Sequence, residues 1–402
     1  MNKDLALELA QRVQRIKPSA TLVVSNRAQE LKNAGQDIIS MSIGEPDFDT
    51  PEHIKEAAIQ AIRDGHTKYT AVDGIKPLKL AIVEKFKNEN NLDYGLDQIL
   101  VSCGAKQSIY NALSAILNPG DEVIILAPYW VSYPDMVKLC DGTPVTVKAD
   151  IEHDFKVTPA QIKAAITNKT RAIIINGPSN PTGITYDESE LRALGEVLIE
   201  APGIVVISDD IYEHHLWRNR PFKNIVNACP ELYDRTIVVN GVSKTYAMTG
   251  WRIGYAGGPK KIIGAMKKAQ SQSTSSPPSV SQYAALAALQ GDQACIGEMT
   301  RAYKERHDFI FTELQSMPGI KCLPSDGTFY IFPSVEGLLN INPAITNDIE
   351  LAEYLINEAK VAVIPGSAFG TAGYIRLCYT TSMEQLVEAA RRIREALNNI
   401  KP

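Results

Sequence analysis

Between residues 98 and 240 the chain repeats one pattern: short aliphatic and β-branched runs without polar alternation, separated by stretches of helical character. The runs are QILVSC, DEVIILA, TPVTVKA, RAIIIN, GIVVISD and RTIVVN, with AKQSIYNALSAIL and PAQIKAAI among the intervening stretches. A strand with one wet face alternates apolar and polar residues, so these runs must be covered on both faces. Helices placed between successive strands supply the covers, and such crossovers make the strands parallel. The expected fold class is therefore α/β, with a mostly parallel central sheet flanked by helices over about residues 50–290. At 402 residues the chain exceeds the usual size of one domain. Its C-terminal part changes to helix–strand–helix with the alternating strands TFYIFP and YIRLCYT. Residues 1–49 with 291–402 are accordingly expected to form a smaller α+β domain. The segment SQSTSSPPSVSQ (271–282) reads as a polar loop between helices.

Composition excludes several functions. A net charge of −5 spread along the chain lacks the basic stripe of a nucleic-acid binder. Six scattered cysteines without CxxC spacing fit reduced thiols rather than a disulfide framework or zinc site. Asp4 and Glu8 interrupt the N-terminal apolar residues, against a signal or transit peptide, and no stretch has the apolar length of a membrane span. A cytoplasmic protein is expected.

The most informative segment for chemistry is VNGVSKTYAMTGWRIGYAGGP (239–259). Here Ser243–Lys244 ends an apolar run, and Arg252 follows eight residues after the lysine. A single lysine is most often a solvated surface charge, but one at the exit of a buried strand lies where functional residues collect. A dry pocket frees its amine to act as a nucleophile toward a carbonyl partner. If that partner is pyridoxal phosphate, Ser243 and Arg252 are donors of the right type for its phosphate.

Other strand exits carry further candidates. VSCGAKQSIYNALSAIL (101–117) is strand, Gly104 turn and helix; the amides of Gly104, Ala105 and Lys106 suit an anion, although an ordinary strand-to-helix turn reads the same way. There is no GxGxxG or GxxxxGK[ST] string to support a dinucleotide or nucleoside triphosphate. Trp130 in APYWVSYP can stack on an aromatic heterocycle, and its place after a strand favours it over Tyr129 and Tyr133. NGPSNPTG (176–183) is dense in turn formers, and its Asn180 can donate an amide to a ring oxygen. In ISDDIYEH, Asp209 ends a strand at the edge where open α/β sheets bind ligands. Its carboxylate would keep a pyridine nitrogen protonated, and Tyr212 can bond a phenolate oxygen; capping roles are open to both Asp209 and Asp210. Arg376 in YIRLCY would pair with a structural carboxylate or hold a substrate carboxylate bidentately. The adjacent His214–His215 lacks metal-ligand spacing and reads as solvated or packed, so no metal is expected.

These motifs run in one order over nearly the whole chain, which resembles a class I aminotransferase of fold type I. KPSAT (17–21) and GEPDFDTPEHIKEA make it most similar to the bacterial aspartate aminotransferase subgroup that includes aspartate/prephenate enzymes. The resemblance implies pyridoxal 5'-phosphate in Schiff-base linkage to Lys244, with Asp209 on the ring nitrogen and Asn180 and Tyr212 on its phenolate oxygen. It implies small amino acids and 2-oxo acids as substrates, with Arg376 and Gly44 at the substrate carboxylate. Lys106 is implied at the distal carboxylate of an acidic substrate, and Lys17 resembles a position linked with prephenate use. Tyr69 matches a tyrosine that crosses to the partner subunit's phosphate, which implies a homodimer with shared sites. The same scaffold also serves aminotransferases for aromatic amino acids or alanine, carbon–sulfur lyases and cyclopropane-forming synthases, separated from this reading by substrate placement alone. A non-catalytic effector-binding module is disfavoured by the complete catalytic set.

Overall fold

The computed structural model of the protein describes residues 8–400 apart from Asn219. Its central sheet has seven strands: β1 (Ile99–Ser102), β2 (Glu122–Ala127), β3 (Thr143–Lys148), β4 (Thr170–Asn176), β5 (Val205–Asp209), β6 (Thr236–Gly241) and β7 (Gly254–Gly257). They lie in the order β1-β7-β6-β5-β4-β2-β3. Every pairing is parallel except those of β7, which runs antiparallel to both β1 and β6.

Successive residues of the unalternated runs enter two separate cores. Ile173, Ile175, Val206 and Val238 pack on one face with Phe86, Leu191, Leu194 and Ala284. Ile174, Val205, Ile207 and Val239 pack on the other with Ile109, Leu113 and Met266. Both faces are thus dry along β4, β5 and β6, which is why these strands carry no polar alternation. The edge strand β3 departs from the expectation, with Thr143, Thr146 and Lys148 exposed and only Val147 buried.

A smaller α+β unit packs around a third core containing Met41, Tyr303, Ile310, Tyr330, Leu377, Leu386 and Ile393. Its antiparallel sheet orders Ile364–Pro365, Ile375–Cys378 and Tyr330–Ile331. Ile39–Ser40 pairs in parallel with Val361–Ala362, tying the N-terminal segment to the C-terminal part. Helices Ala294–Gln315 and Met383–Asn398 cover this unit. The polar segment near residue 275 is shorter than its composition suggests: one helix runs to Ser271 and the next begins at Ser279. Among the described residues no helix is long and apolar enough to cross a membrane.

Candidate active site

Parallel strands bring their carboxyl ends to one edge of the sheet, and the sequence candidates sit at those ends. Gly104 follows β1, Trp130 follows β2, Asn180 follows β4, Asp209 closes β5, and Ser243–Lys244 follows β6. Because β7 is reversed, its amino end lies at the same edge and delivers Arg252 there. Gly44 and Arg376 arrive from the smaller unit. All of these but Gly104 line one cleft of about 400 Å³.

Lys244 and Asp209 face this cleft. Asp209 is 3% exposed. It accepts Tyr133 Oη–H at 2.6 Å, while its backbone carbonyl accepts Asn176 Nδ2 at 2.7 Å. Burial raises its carboxyl to about 6, against the lowering effects of the Tyr133 bond, an Ile211 N–H and the Lys244 charge. The Lys244 residue is part-exposed but its ammonium is enclosed, donating to the Gly44 carbonyl at 2.6 Å and lying 5.7 Å over the Phe329 ring. Burial brings this amine down to about 8; Cys378 and Glu45 pull it up, and the Arg376 and Arg252 cations push it down. A free amine is therefore available near neutral pH, as a nucleophile or a proton carrier requires.

Arg376 is 2% exposed, with its guanidinium 4.6 Å from the Tyr330 ring and 5.0 Å from the Phe369 ring. Nη1 donates to Asn180 Oδ1 at 2.9 Å and Nη2 to the Ser42 carbonyl, while the buried Nε has no partner among the described residues. No described carboxylate answers this buried cation, so its charge and its spare donor are left for a ligand. Asn180 is oriented through its oxygen and through its backbone N–H on Asn176 Oδ1, which leaves Nδ2 to donate. Tyr212 Oη pairs with Tyr330 Oη at 2.8 Å. Burial and the Tyr330 hydroxyl hold the Tyr212 phenol protonated, well above its ordinary range.

An anion cradle forms at the start of helix Ala105–Ile116. Gly104 has φ +88°, and a Cβ there would stand 2.3 Å from Arg252 Nη2. Gln107 N–H turns back to the Gly104 carbonyl at 3.0 Å, whereas the amides of Ala105 and Lys106 precede any helical acceptor. Arg252, at φ +55°, donates Nη1 to the Thr249 carbonyl at 2.7 Å and keeps its other nitrogens over the turn. Lys106 is exposed at the mouth of the cleft with its ammonium 4.8 Å over the Trp130 ring. Partial burial of that ammonium, then the Arg252 charge, lower its pKa.

Ala105, Lys106, Trp130, Asn180, Asp209, Tyr212, Ser243, Lys244, Arg252, Gly44 and Arg376 thus all line one cleft, and Gly104 lies beneath Arg252. Two candidates stand apart. Tyr69 is 95% exposed and outside the cleft, and Lys17 is exposed and not in its wall, although Ser19, Thr21 and Leu22 are. Sequence reasoning weighed Tyr133 only as a ring stacker and missed its hold on Asp209, and it missed Tyr330, which touches Arg376 and Tyr212. These pairings leave no local signal, because each spans a long stretch of chain. Asn176, the first residue of NGPSNPTG, was readable as a strand exit. His214 stands with Glu89 and Glu213 in a group compact enough for a metal, but the Lys85 ammonium bonds Glu213 and lies 3.4 Å from Glu89.

Residues 36–393 match the family described as aminotransferase class I and II. The aspartate/prephenate aminotransferase of Nitrosomonas europaea is 53% identical over 98% of this chain and 100% of its own length. That of Cereibacter sphaeroides is 51% identical over 96% and 97%. Among solved structures, the aspartate aminotransferase of Rhizobium meliloti superposes with a TM-score of 0.95 at 46% identity, covering 98% of this chain and 99% of that one. The Thermus thermophilus aspartate aminotransferase with maleate gives a TM-score of 0.92 at 41% identity over 97% and 100%. The strand order, the sheet-edge cleft and these likenesses agree: the chain belongs to the class I and II aminotransferase family.

Proposed function

We propose that this transaminase uses pyridoxal 5'-phosphate to move the amino group of L-aspartate to 2-oxoglutarate, giving oxaloacetate and L-glutamate, and that it also acts on prephenate. The observation that carries the reading is the enclosed Lys244 ammonium, held on the Gly44 carbonyl at 2.6 Å, in the same cleft as the buried acid Asp209.

The residues fit the cofactor. A buried carboxyl open to the cleft suits a protonated ring nitrogen, Asn180 Nδ2 and Tyr212 Oη suit the ring oxygen, and Trp130 suits the ring face. Ser243, Arg252 and the amides of Ala105 and Lys106 suit the phosphate, whereas the Gly104 amide, expected from the sequence to join them, donates to the Ser102 carbonyl at 2.8 Å. When bound, the cofactor supplies an aldehyde for the amino group and an electron-poor ring that drains charge from the substrate's α-carbon. Arg376, with its unanswered Nε–H, and Gly44 orient the substrate's α-carboxylate. Lys244 would hold the cofactor's aldehyde and, with its amine free, would be the group to carry a proton between the substrate's α-carbon and the cofactor's aldehyde carbon. Asp209 keeps the ring nitrogen charged while this happens.

Lys106 meets the distal carboxylate of an acidic substrate, and Lys17, outside the cleft wall in a single copy, contributes to prephenate use. The names of the Nitrosomonas and Cereibacter relatives and the dicarboxylate maleate in the Thermus structure support acidic substrates and prephenate as the substrate class. We further propose a cytoplasmic homodimer in which Tyr69 reaches the phosphate site of the second copy, and domain limits of 50–290 for the large domain and 1–49 with 291–402 for the small one.

The test is a panel of amino donors against 2-oxoglutarate, with cofactor absorbance followed. Glutamate and oxaloacetate from aspartate are expected, and Lys244→Ala abolishes both the lysine-linked absorbance and transfer. Normal turnover in that variant overturns the reading. Pyruvate and ammonia from a thioether amino acid, without transfer from aspartate, would assign a lyase instead.

A further inference from the structure

The turn that follows Asp209 also reaches the lysine loop. Three consecutive residues of that turn, Glu213, His214 and His215, bind backbone or side chains on both sides of Lys244. Glu213, 7% exposed, accepts Asn240 Nδ2 at 2.6 Å, and Asn240 Oδ1 accepts the Gly241 N–H at 2.7 Å. His214 bridges Thr245 Oγ1 at 3.1 Å and Glu89 Oε2 at 2.9 Å. His215, 0% exposed, places Nε2 at 3.0 Å from the carbonyl oxygen of Lys244 itself.

We propose that His215 is a positioning residue for Lys244, donating Nε2–H to its carbonyl and so setting where the reactive amine stands relative to Asp209. A carbonyl acceptor admits only the tautomer with the proton on Nε2. The ring is neutral at physiological pH, because burial brings it down to about 4. Its other nitrogen lies 3.4 Å from Thr300 Oγ1. Its own movement is restricted: the ring meets Tyr303 edge-on at 5.3 Å and Phe329 at 6.1 Å. The His215 carbonyl accepts Thr328 N–H at 2.7 Å, anchoring the turn to the chain that carries Phe329. Phe329 is the same ring that lies beneath the Lys244 ammonium. One residue therefore fixes the lysine's backbone while its aromatic neighbour bounds the amine.

The inference rests on Lys244 being the reactive lysine, so the experiment separates the two. His215→Leu fills a similar volume without a donor, and His215→Gln returns an N–H near the position of Nε2. Misplacement of a reacting group by about 1 Å costs as much as ~100-fold, so the smaller shift here predicts a kcat roughly tenfold lower for His215→Leu with the aspartate KM nearly unchanged. In the full chain stripped of cofactor, acylation of Lys244, read by peptide mass spectrometry, has its pH midpoint shifted upward relative to the wild type as the amine is released toward water. His215→Gln is expected to restore both readouts. Should the leucine variant fail to fold, His215→Asn, whose shorter amide does not reach the carbonyl, replaces it. Wild-type kcat and midpoint in a folded donor-less variant, or a glutamine variant no better than it, overturns the proposal. If Lys244→Ala retains turnover, it is the underlying reading that fails.

Discussion

Asp209 is a carboxyl group kept out of water beside a tyrosine hydroxyl, and its proton affinity is set by those two surroundings. Burial raises it and the Tyr133 bond lowers it, leaving it at about 6 instead of the ordinary 3.8. Between these values the folded chain without cofactor holds a proton that the unfolded chain has already lost. The unfolded state then binds fewer protons, so stability falls as pH rises through this window, by about 1.4 kcal/mol for each unit of raised pKa. Tyr133→Phe removes the one side-chain donor on the carboxylate among the described residues. We expect the decline in the unfolding midpoint to continue to higher pH than in the wild type, where Asp210, raised to about 7 by burial and Glu213, contributes equally to both proteins. Transfer at neutral pH should fall roughly tenfold, the scale of a lost hydrogen bond to a charged group. Identical pH–stability curves would show that Tyr133 does not tune this acid. The case also marks where sequence reading stops at this scale. Asp209 was legible because it ends an apolar run, whereas Tyr133 lies 76 residues away in the chain and only the packed sheet brings the two together.

At the scale of elements, the inner parallel strands were legible because burial on both faces leaves a run without alternation, whereas the edge strand β3 keeps exposed Thr143, Thr146 and Lys148. The direction of β7 was not, since side-chain periodicity is the same in either direction. Yet the reversal has chemical weight: it sends Arg252 to the edge where the other strands end. It also requires β7 to pass close to the helix that offers the anion cradle. A Cβ on Gly254 would come within 2.1 Å of the Ala105 backbone nitrogen, with no flexible side chain to yield. Gly254→Ala therefore pushes strand and helix apart. The expected cost is about 1–3 kcal/mol of stability, the range for overpacking a core. Because the displaced amides are those proposed to hold the phosphate, cofactor should also be lost faster on dialysis than from the wild type. Destabilisation with unchanged cofactor loss would separate the packing of this contact from the cradle.

For the whole molecule, the described chain builds a cleft from both units: Gly44, Tyr330 and Arg376 from the smaller one and the sheet-edge residues from the larger. Tyr69 takes no part within a single copy, its ring 95% exposed. An aromatic side chain left so open gains from burial against a second surface. If Tyr69 completes the site of a second copy, two defective chains should repair each other. Chains carrying Lys244→Ala supply a sound Tyr69, and chains carrying Tyr69→Ala supply a sound Lys244. A mixed dimer then contains one whole site, formed at the copy that retains its lysine. Random redistribution of equal amounts makes half the dimers mixed, so turnover should rise to about a quarter of wild type per chain. Tyr69→Ala alone must be impaired for the rise to be read, and size-exclusion chromatography must show the dimer before and after mixing. Activity of the mixture equal to the mean of the separate variants would place Tyr69 outside the partner's site.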